Sequence, residues 1–424
     1  MQRFYFSFLF VCFSATAWAG TGYEIKVKLK GYQEKGLYLA YYYGDKQYIK
    51  DTAYRNSNGE FVFKDEKTLE SGLYLIVMTP DNEFFQLLID KEDQQFSVET
   101  DVTDILQNMA FKGAAKNTQL FTNYLKYLST QGNSMKDLST KLSAAKNDNA
   151  KRKNLQMQID LLDKKVRSYQ QNIISSNKGS LTAAMIKASI RVEPPQFSGD
   201  EKEQEFKKWR FAQQHYFDNL DLADGRLLRT PVLHSAVDYY IDKLQIQHPD
   251  TLVAAIDNLL TRFSSAEESF KYYLIYFLNK YAKSNLVGMD AVYVHLAQKY
   301  YATGKAPWTD EDQLAKIIDN ADKLEPLLIG KKAPALKLNE RSGQVFELEK
   351  SVTEFNILYF WKNNTSRAKK DFKTLKAFYA KYGSKDVGIF AVCMDREDDI
   401  NKSWEIVDEN DITGFTHLYP AGIN

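Results

Sequence analysis

Residues 23–30, YEIKVKLK, alternate strictly, with Tyr23, Ile25, Val27 and Leu29 on one side and charged residues on the other. A two-residue period marks a strand with one buried face. Strand-like runs follow at 37–43, 47–54, 60–64, 73–79, 84–90 and 94–99, and Asn58-Gly59 supplies a hairpin turn signal. Short strands at this spacing predict a small antiparallel sandwich or barrel over residues 20–105.

The period changes near Asn117. From Ser134 to Ser176 the chain is polar, yet Leu155, Ile159, Leu162, Val166, Tyr169 and Ile173 recur at spacings of four and three, a seam along one helical face. Leu138 and Leu142 face it across the Asn147-Asp148-Asn149 break, so a helical hairpin is predicted over 134–176. Lys151, Lys153, Lys164 and Lys165 interleave with acids and read as a solvated face. Pro194-Pro195 closes this region, and helices continue to about Leu327. Thr309 is read as the cap of a helix whose stripe is Leu314, Ile317, Ile318, Ala321 and Leu324. Residues 106–327 therefore form an all-α domain.

Beyond Gly330 the pattern becomes strand pieces at 335–338 and 345–348, a strand at 355–361, a helix at 366–382, a strand at 386–393 and a helix at 398–409. Apolar strands alternating with helices imply a parallel α/β sheet, here over residues 328–424. The expected architecture is multidomain α+β: an N-terminal antiparallel β module, a middle all-α domain and a C-terminal α/β domain.

The first residues, MQRFYFSFLFVCFSATAWAG, carry Arg3, an apolar stretch from Phe4 to Phe13 and the triplet Ala17-Trp18-Ala19. They read as a signal peptide, residues 1–19, cut after Ala19, and direct the chain to the periplasm or cell envelope. Lipid anchoring through Cys12 fits less well, because Val11 stands where a small residue is expected. No later run approaches the roughly 20 apolar residues of a spanning helix. The net charge of +1 gives no electrostatic footprint for nucleic acid.

After that cleavage one of the 2 cysteines remains, Cys393 in the strand-like run VGIFAVC, where it reads as a buried core residue. A single thiol makes no intrachain disulfide, two-cysteine redox cycle or cysteine metal site. Histidines 215, 234, 248, 295 and 417 show no close ligand pair. Asp218, Asp221 and Asp224 are spaced by three rather than two, with Arg229 where a calcium loop needs its terminal Glu. No metal or cofactor is expected. Asp395, in a run of charges at a strand end, reads as a helix cap, and Lys369 and Lys370 as a solvated face.

GKKAPALKLNERSGQVFELEK, FNILYFWKNNTSRAKKDFKTLKAFYAKY and VGIFAVCMD together resemble the TlpA-like branch of the thioredoxin superfamily, with Gly330, Ala333, Pro334, Gly343, Phe360, Trp361 and Asp395 at matching places. The β module and the middle segment with HYFDNLDLADGRLLRTP are similar to two uncharacterised domains that often precede such domains in bacterial envelope proteins. The resemblance implies a thioredoxin-like fold whose C-x-x-C turn should follow Phe360-Trp361. Thr365 and Ala368 stand where those cysteines belong. Thiol–disulfide exchange needs an activated thiolate and a resolving thiol, which a hydroxyl and a methyl do not supply.

The family continues with a strand led by a cis-proline, a further strand and a closing helix, whereas this chain stops at Asn424, and Pro420 has too little chain behind it for that role. An incomplete, truncated thioredoxin-like domain is expected, with one side of strand 355–361 unpaired: either the chain is a shortened form of a longer protein, or a partner or second copy covers that edge, or the domain is only partly folded. These readings suggest a degenerate thioredoxin-like envelope protein without redox activity that binds a protein or peptide. The expected surface is Trp361, Asn363, Asn364, Thr365, Ser366 and Arg367, with no catalytic residue. The alternative is a TlpA-type thiol–disulfide oxidoreductase of which this chain is an inactive or shortened representative. A third reading assigns ligand binding to the β module through Leu37 to Tyr43.

Overall fold

The alternation in β1 (Tyr23–Lys30) sends Ile25, Val27 and Leu29 into the space between two four-stranded sheets. The computed structural model describes residues 22–146, 148–363, 366–383, 386–410, 412 and 414–420, except for the side chains of Ser366, Lys369 and Glu397. The predicted signal peptide and Cys12 lie outside the described residues.

One sheet has the order β4-β1-β7-β8, the other β3-β2-β5-β6, with β2 (Gly36–Tyr43), β3 (Lys46–Tyr54), β4 (Phe61–Asp65), β5 (Gly72–Met78), β6 (Glu83–Ile89), β7 (Gln95–Asp101) and β8 (Ala110–Gly113). A short helix, α1 (Ile105–Asn108), joins β7 to β8. Neighbours are antiparallel except β1 and β7, which run parallel from Glu24 opposite Gln95 to Lys30 opposite Asp101. The Asn58-Gly59 turn, with Gly59 at φ +76, links strands of different sheets through the isolated Arg55–Phe61 bridge. It marks a crossing of the sandwich rather than a ladder hairpin. β2 lies between β3 and β5 with Leu37 and Leu39 buried, so the aromatic side chains most exposed on this edge are Tyr48 and Tyr54 of β3.

The helical region comprises α2 (Lys116–Ala144), α3 (Asn149–Ser176), α4 (Leu181–Ser189), α5 (Glu201–His215), α6 (Pro231–Tyr239), α7 (Pro249–Arg262), α8 (Glu267–Ala282), α9 (Asp290–Leu296) and α10 (Glu311–Leu324). The first arm of the hairpin, α2, starts at Lys116, earlier than the seam alone implied. Asp148 caps α3 by accepting the Lys151 N–H, and the seam from Leu155 to Ile173 lies buried or half-buried. Pro231 and Pro249 open α6 and α7, where the first N–H groups have no helical partner to lose. Asp310, not Thr309, caps α10: its carboxylate accepts the Gln313 N–H. Only Ala321 of the expected stripe is fully buried.

The second sheet of the sandwich has two apolar faces. Ile76, Leu87 and Ile89 point into the sandwich, whereas Leu73, Leu75 and Leu88 are equally buried but lie outside that cluster, on the face that α2, α4 and the 3₁₀ turn Gly225–Arg229 meet. Two polar clasps fix this contact. Asp93, 0% exposed, accepts the N–H groups of Asn117 and Thr118 at 3.2 Å each, so a loop carboxylate satisfies the start of α2. Beside it, Asp90 accepts from Ser71 Oγ, from the first N–H of α4 at Leu181, and from Arg226, which also pairs with Asp224. At the other clasp the Gly44 N–H donates to Leu228 O, and Tyr272 of α8 bonds Asp45 through its hydroxyl. Gly44 sits at φ +59, and a Cβ there would fall 1.9 Å from the Tyr272 ring, so glycine is required.

The chain divides into two compact units between Ala321 and Asp322. The second unit is built on a five-stranded sheet of order β10-β9-β13-β12-β11, with β9 (Lys337–Glu340), β10 (Val345–Glu347), β11 (Phe355–Trp361), β12 (Val387–Cys393) and β13 (Thr416–Tyr419). β11, β12 and β13 are parallel, while β9 runs antiparallel to both β13 and β10. α11 (Ser366–Tyr382) and α12 (Ile400–Glu409) cover one face over Trp361, Phe372, Ile389, Ala391 and Val407. Leu338, Phe390, Val392 and Leu418 form the cluster on the other face. β13 has no counterpart in the predicted elements. Among the described residues β12 is the only ladder partner of β11, which therefore lies at the sheet edge. No helix among the described residues is long and apolar enough to cross a membrane.

Replacing Asp93 by Ala leaves the first N–H groups of α2 buried without an acceptor, which costs about 1–3 kcal/mol. Urea unfolding of the full chain is expected to show this as a lower midpoint for the N-terminal unit, with that of the C-terminal unit unchanged.

Candidate functional site

The apolar run of β11 ends at Trp361, which is 4% exposed and meets Phe372 of α11 edge-on at 4.8 Å. Ala368, one turn before Phe372, is 1% exposed in the same cluster. The place expected for a second cysteine thus holds a methyl sealed into the core. Asn364 and Thr365 lie outside the described residues, and Ser366 begins α11. Arg367 is exposed, with Nε 3.4 Å from Asp371 Oδ2.

Asp395 organises the junction. Its Oδ2 accepts the Asn363 N–H at 2.8 Å, the Ser403 hydroxyl at 2.6 Å and the Cys393 thiol at 3.3 Å. The Asn363 side-chain amide turns inward, donating to Ser403 Oγ at 3.0 Å and Asp399 O at 3.3 Å. The Met394 N–H donates to Trp361 O. Asp395 is therefore no helix cap: Asp399 stands at the N-cap of α12, and Asp395 instead ties the turn after β11 to α12 and to the end of β12.

Cys393 is 0% exposed. Burial pushes its thiol up, since a thiolate there would lose its hydration, and Asp395 adds like-charge repulsion. Thiol–disulfide chemistry runs through the thiolate, so this thiol is chemically quiet.

The outer side of the junction is different. The Phe355 N–H and the Trp361 carbonyl both bond toward β12, to Asp386 O and the Met394 N–H. By strand alternation, Asn356, Leu358 and Phe360 turn their N–H and C=O groups to the open edge. Next to that edge runs an open groove of about 510 Å³, walled by Tyr359, Phe360 and Trp361 of β11, by Lys362 just beyond it, and by Arg367 and Asp371 of α11. Phe360 is 54% exposed, and Trp361 Nε1 has no acceptor among the described residues. The Tyr359 hydroxyl donates to Asp371 Oδ2 at 3.3 Å, and burial, reinforced by that carboxylate, pushes it up to about 12.

Of the residues expected at the surface, the structure turns Trp361 and Asn363 inward and Arg367 outward. Asp371, Asp395 and Ser403 escaped sequence reasoning as parts of this junction. A signal existed for Ser403, a small polar residue on the stripe of Ile400, Trp404 and Val407 where an apolar one is expected.

Residues 329–414 match the AhpC/TSA family, residues 23–120 a domain of unknown function (DUF4369), and residues 170–325 another (DUF5106). No curated protein matches the chain. Among solved structures, a thioredoxin-like protein from Bacteroides caccae is 18% identical, with 55% of this chain and 82% of that chain covered and a TM-score of 0.43. The thioredoxin domain of a thiol-disulfide oxidoreductase from Bacteroides vulgatus is 23% identical over 22% of this chain and 63% of its own, with a TM-score of 0.20. The chain thus spans less than two thirds of the latter. With the strand–helix–strand–helix order and the AhpC/TSA match together, the C-terminal unit is a thioredoxin-superfamily domain, preceded by further N-terminal domains.

In a Cys12→Ser background, Cys393 is expected to resist iodoacetamide at pH 8 in the native protein and to react fully in guanidinium. Asp395→Ala removes the acceptor of three donors and is expected to destabilise the C-terminal unit by about 1–3 kcal/mol. The same change should speed labelling of Cys393, measured by mass spectrometry.

Proposed function

We propose that the C-terminal domain is a redox-inactive member of its superfamily that binds an extended protein or peptide segment in the periplasm or cell envelope. The observation that carries this reading is the open edge of β11. Three residues there offer paired donors and acceptors, and an incoming strand satisfies them as it would a sheet neighbour. Side chains of such a segment that point toward α11 would enter the groove beside Tyr359 and Trp361. Those on the opposite face would meet Phe360. Arg367, exposed beside the groove, suits an acidic group of the bound segment. A second copy of the chain is one occupant of the same chemistry.

Loss of redox function follows from Thr365 and Ala368 at the cysteine positions and from the burial of Cys393. Neither supplies an accessible thiolate with a resolving partner.

The test has two arms, both on the full chain. With dithiothreitol and insulin, precipitation is expected at the rate of the reagent alone, and catalysed precipitation would sink the redox-inactive half of the proposal. Selection of peptides from a random display library is expected to return extended, proline-poor sequences. Their binding should fall at least tenfold in Phe360→Pro, which removes one outward N–H, and persist in Phe360→Val, which keeps it. Equal binding to both variants, or no selectable peptide, refutes the strand-addition half.

A further inference from the structure

The helical region holds a cavity of about 380 Å³ that no role described so far uses. It lies between the extended chain leaving α4, the C-terminal half of α5 and the end of α6. There the helix widens into a π turn, Tyr240–Leu244, a distortion frequently found at functional sites. The Gln213 side-chain amide donates to Leu244 O at 2.7 Å, and the Asn219 amide donates to Ile190 O at 2.8 Å. Two of the cavity's walls are thereby pinned by side chains of the α5 segment.

Those walls are mostly aromatic. Tyr216 stacks on Tyr239 at 5.8 Å and 22°, and on Tyr240 at 5.8 Å and 24°. His215 stacks on Phe211 at 4.2 Å. Flat faces of this kind accept another flat ring. The polar side is cationic: Arg191 lines the cavity and has no acidic partner among the described residues. The nearest acid in sequence, Glu193, is engaged by Arg167 at 2.6 Å, and Asp218 is held by His215 Nδ1 at 2.7 Å. Arg191 and Tyr216 line the same cavity, so the cation shares it with the aromatic wall; burial and Tyr239 raise the Tyr216 hydroxyl, and Arg191 opposes that rise.

We propose that this cavity binds a small aromatic acid, its ring laid among Phe211, Tyr216 and Tyr239 and its anionic group on Arg191. The volume lies at the small end of ligand sites and suits one or two rings rather than a polymer. Ring stacking sets the orientation, and the unpaired guanidinium selects the charge.

The full chain titrated with 8-anilinonaphthalene-1-sulfonate, an aromatic anion, is expected to show saturable one-to-one fluorescence enhancement. Arg191→Gln should raise its dissociation constant about tenfold while leaving that of the neutral probe N-phenyl-1-naphthylamine unchanged, because one charge-assisted contact is removed. Ala212→Trp, which fills the cavity, should abolish binding of both probes without altering the circular dichroism spectrum. Arg191 lies on the surface, so its substitution tests the site without threatening the fold. Absence of saturable binding, an unchanged constant for the anion in Arg191→Gln, or equal weakening of both probes overturns the proposal.

Discussion

One carboxylate holds the strand–helix junction of the C-terminal domain. Asp395 gathers a backbone N–H from the turn, a hydroxyl from α12 and a thiol from the end of β12 onto a single oxygen. Charge-assisted hydrogen bonds of this sort are stronger than neutral ones and favour one arrangement of the donors. The turn after β11 is thus positioned by oxygen and nitrogen, with no call on a disulfide. What the junction leaves available is surface: an edge with unspent hydrogen bonds and a groove beside it.

The same physics organises the N-terminal unit. Asp93 is buried outright, and burial raises its carboxyl pKa; the helix-start N–H groups of Asn117 and Thr118, which would otherwise be orphaned, counter that rise only in part. Asp90 and Arg226 repeat the device for α4 and the 3₁₀ turn. Asp90 and Asp93 both lie in the loop after β6, the strand whose outer face the helices cover. In each unit, then, a loop carboxylate between strands decides where the following helices go.

Elements with a strong period were legible from the sequence. YEIKVKLK could be nothing but a half-buried strand, and the seam from Leu155 to Ile173 could only be one helical face. The Gly330-to-Asp395 pattern gave the thioredoxin-like domain. Long-range pairing was not legible, because period is local: nothing in β1 and β7 announces that they run parallel, and THLY at 416–419 is too short and too mixed to stand out. The cap of α10 was legible to within one residue, since Thr309 and Asp310 are both good N-cap types and only geometry chooses between them. The role of Asp395 was hidden for a similar reason. A carboxylate at a strand end is ambiguous until the turn and the helix that meet it are known.

The contact between the sandwich and the helices joins two separately matched stretches into one folding unit. DUF4369 and DUF5106 are matched as separate stretches, with most of the α2–α3 hairpin between them. Yet Leu73, Leu75 and Leu88 form an apolar outer surface that only the helices cover. A gene fragment encoding the sandwich alone would make a molecule greasy on the wrong side, prone to self-association or to clearance by proteases. The sandwich and the helices are therefore one physical module: the outer leucines of the sheet stay dry, and the helix starts at Asn117 and Leu181 find their acceptors, only when both are present.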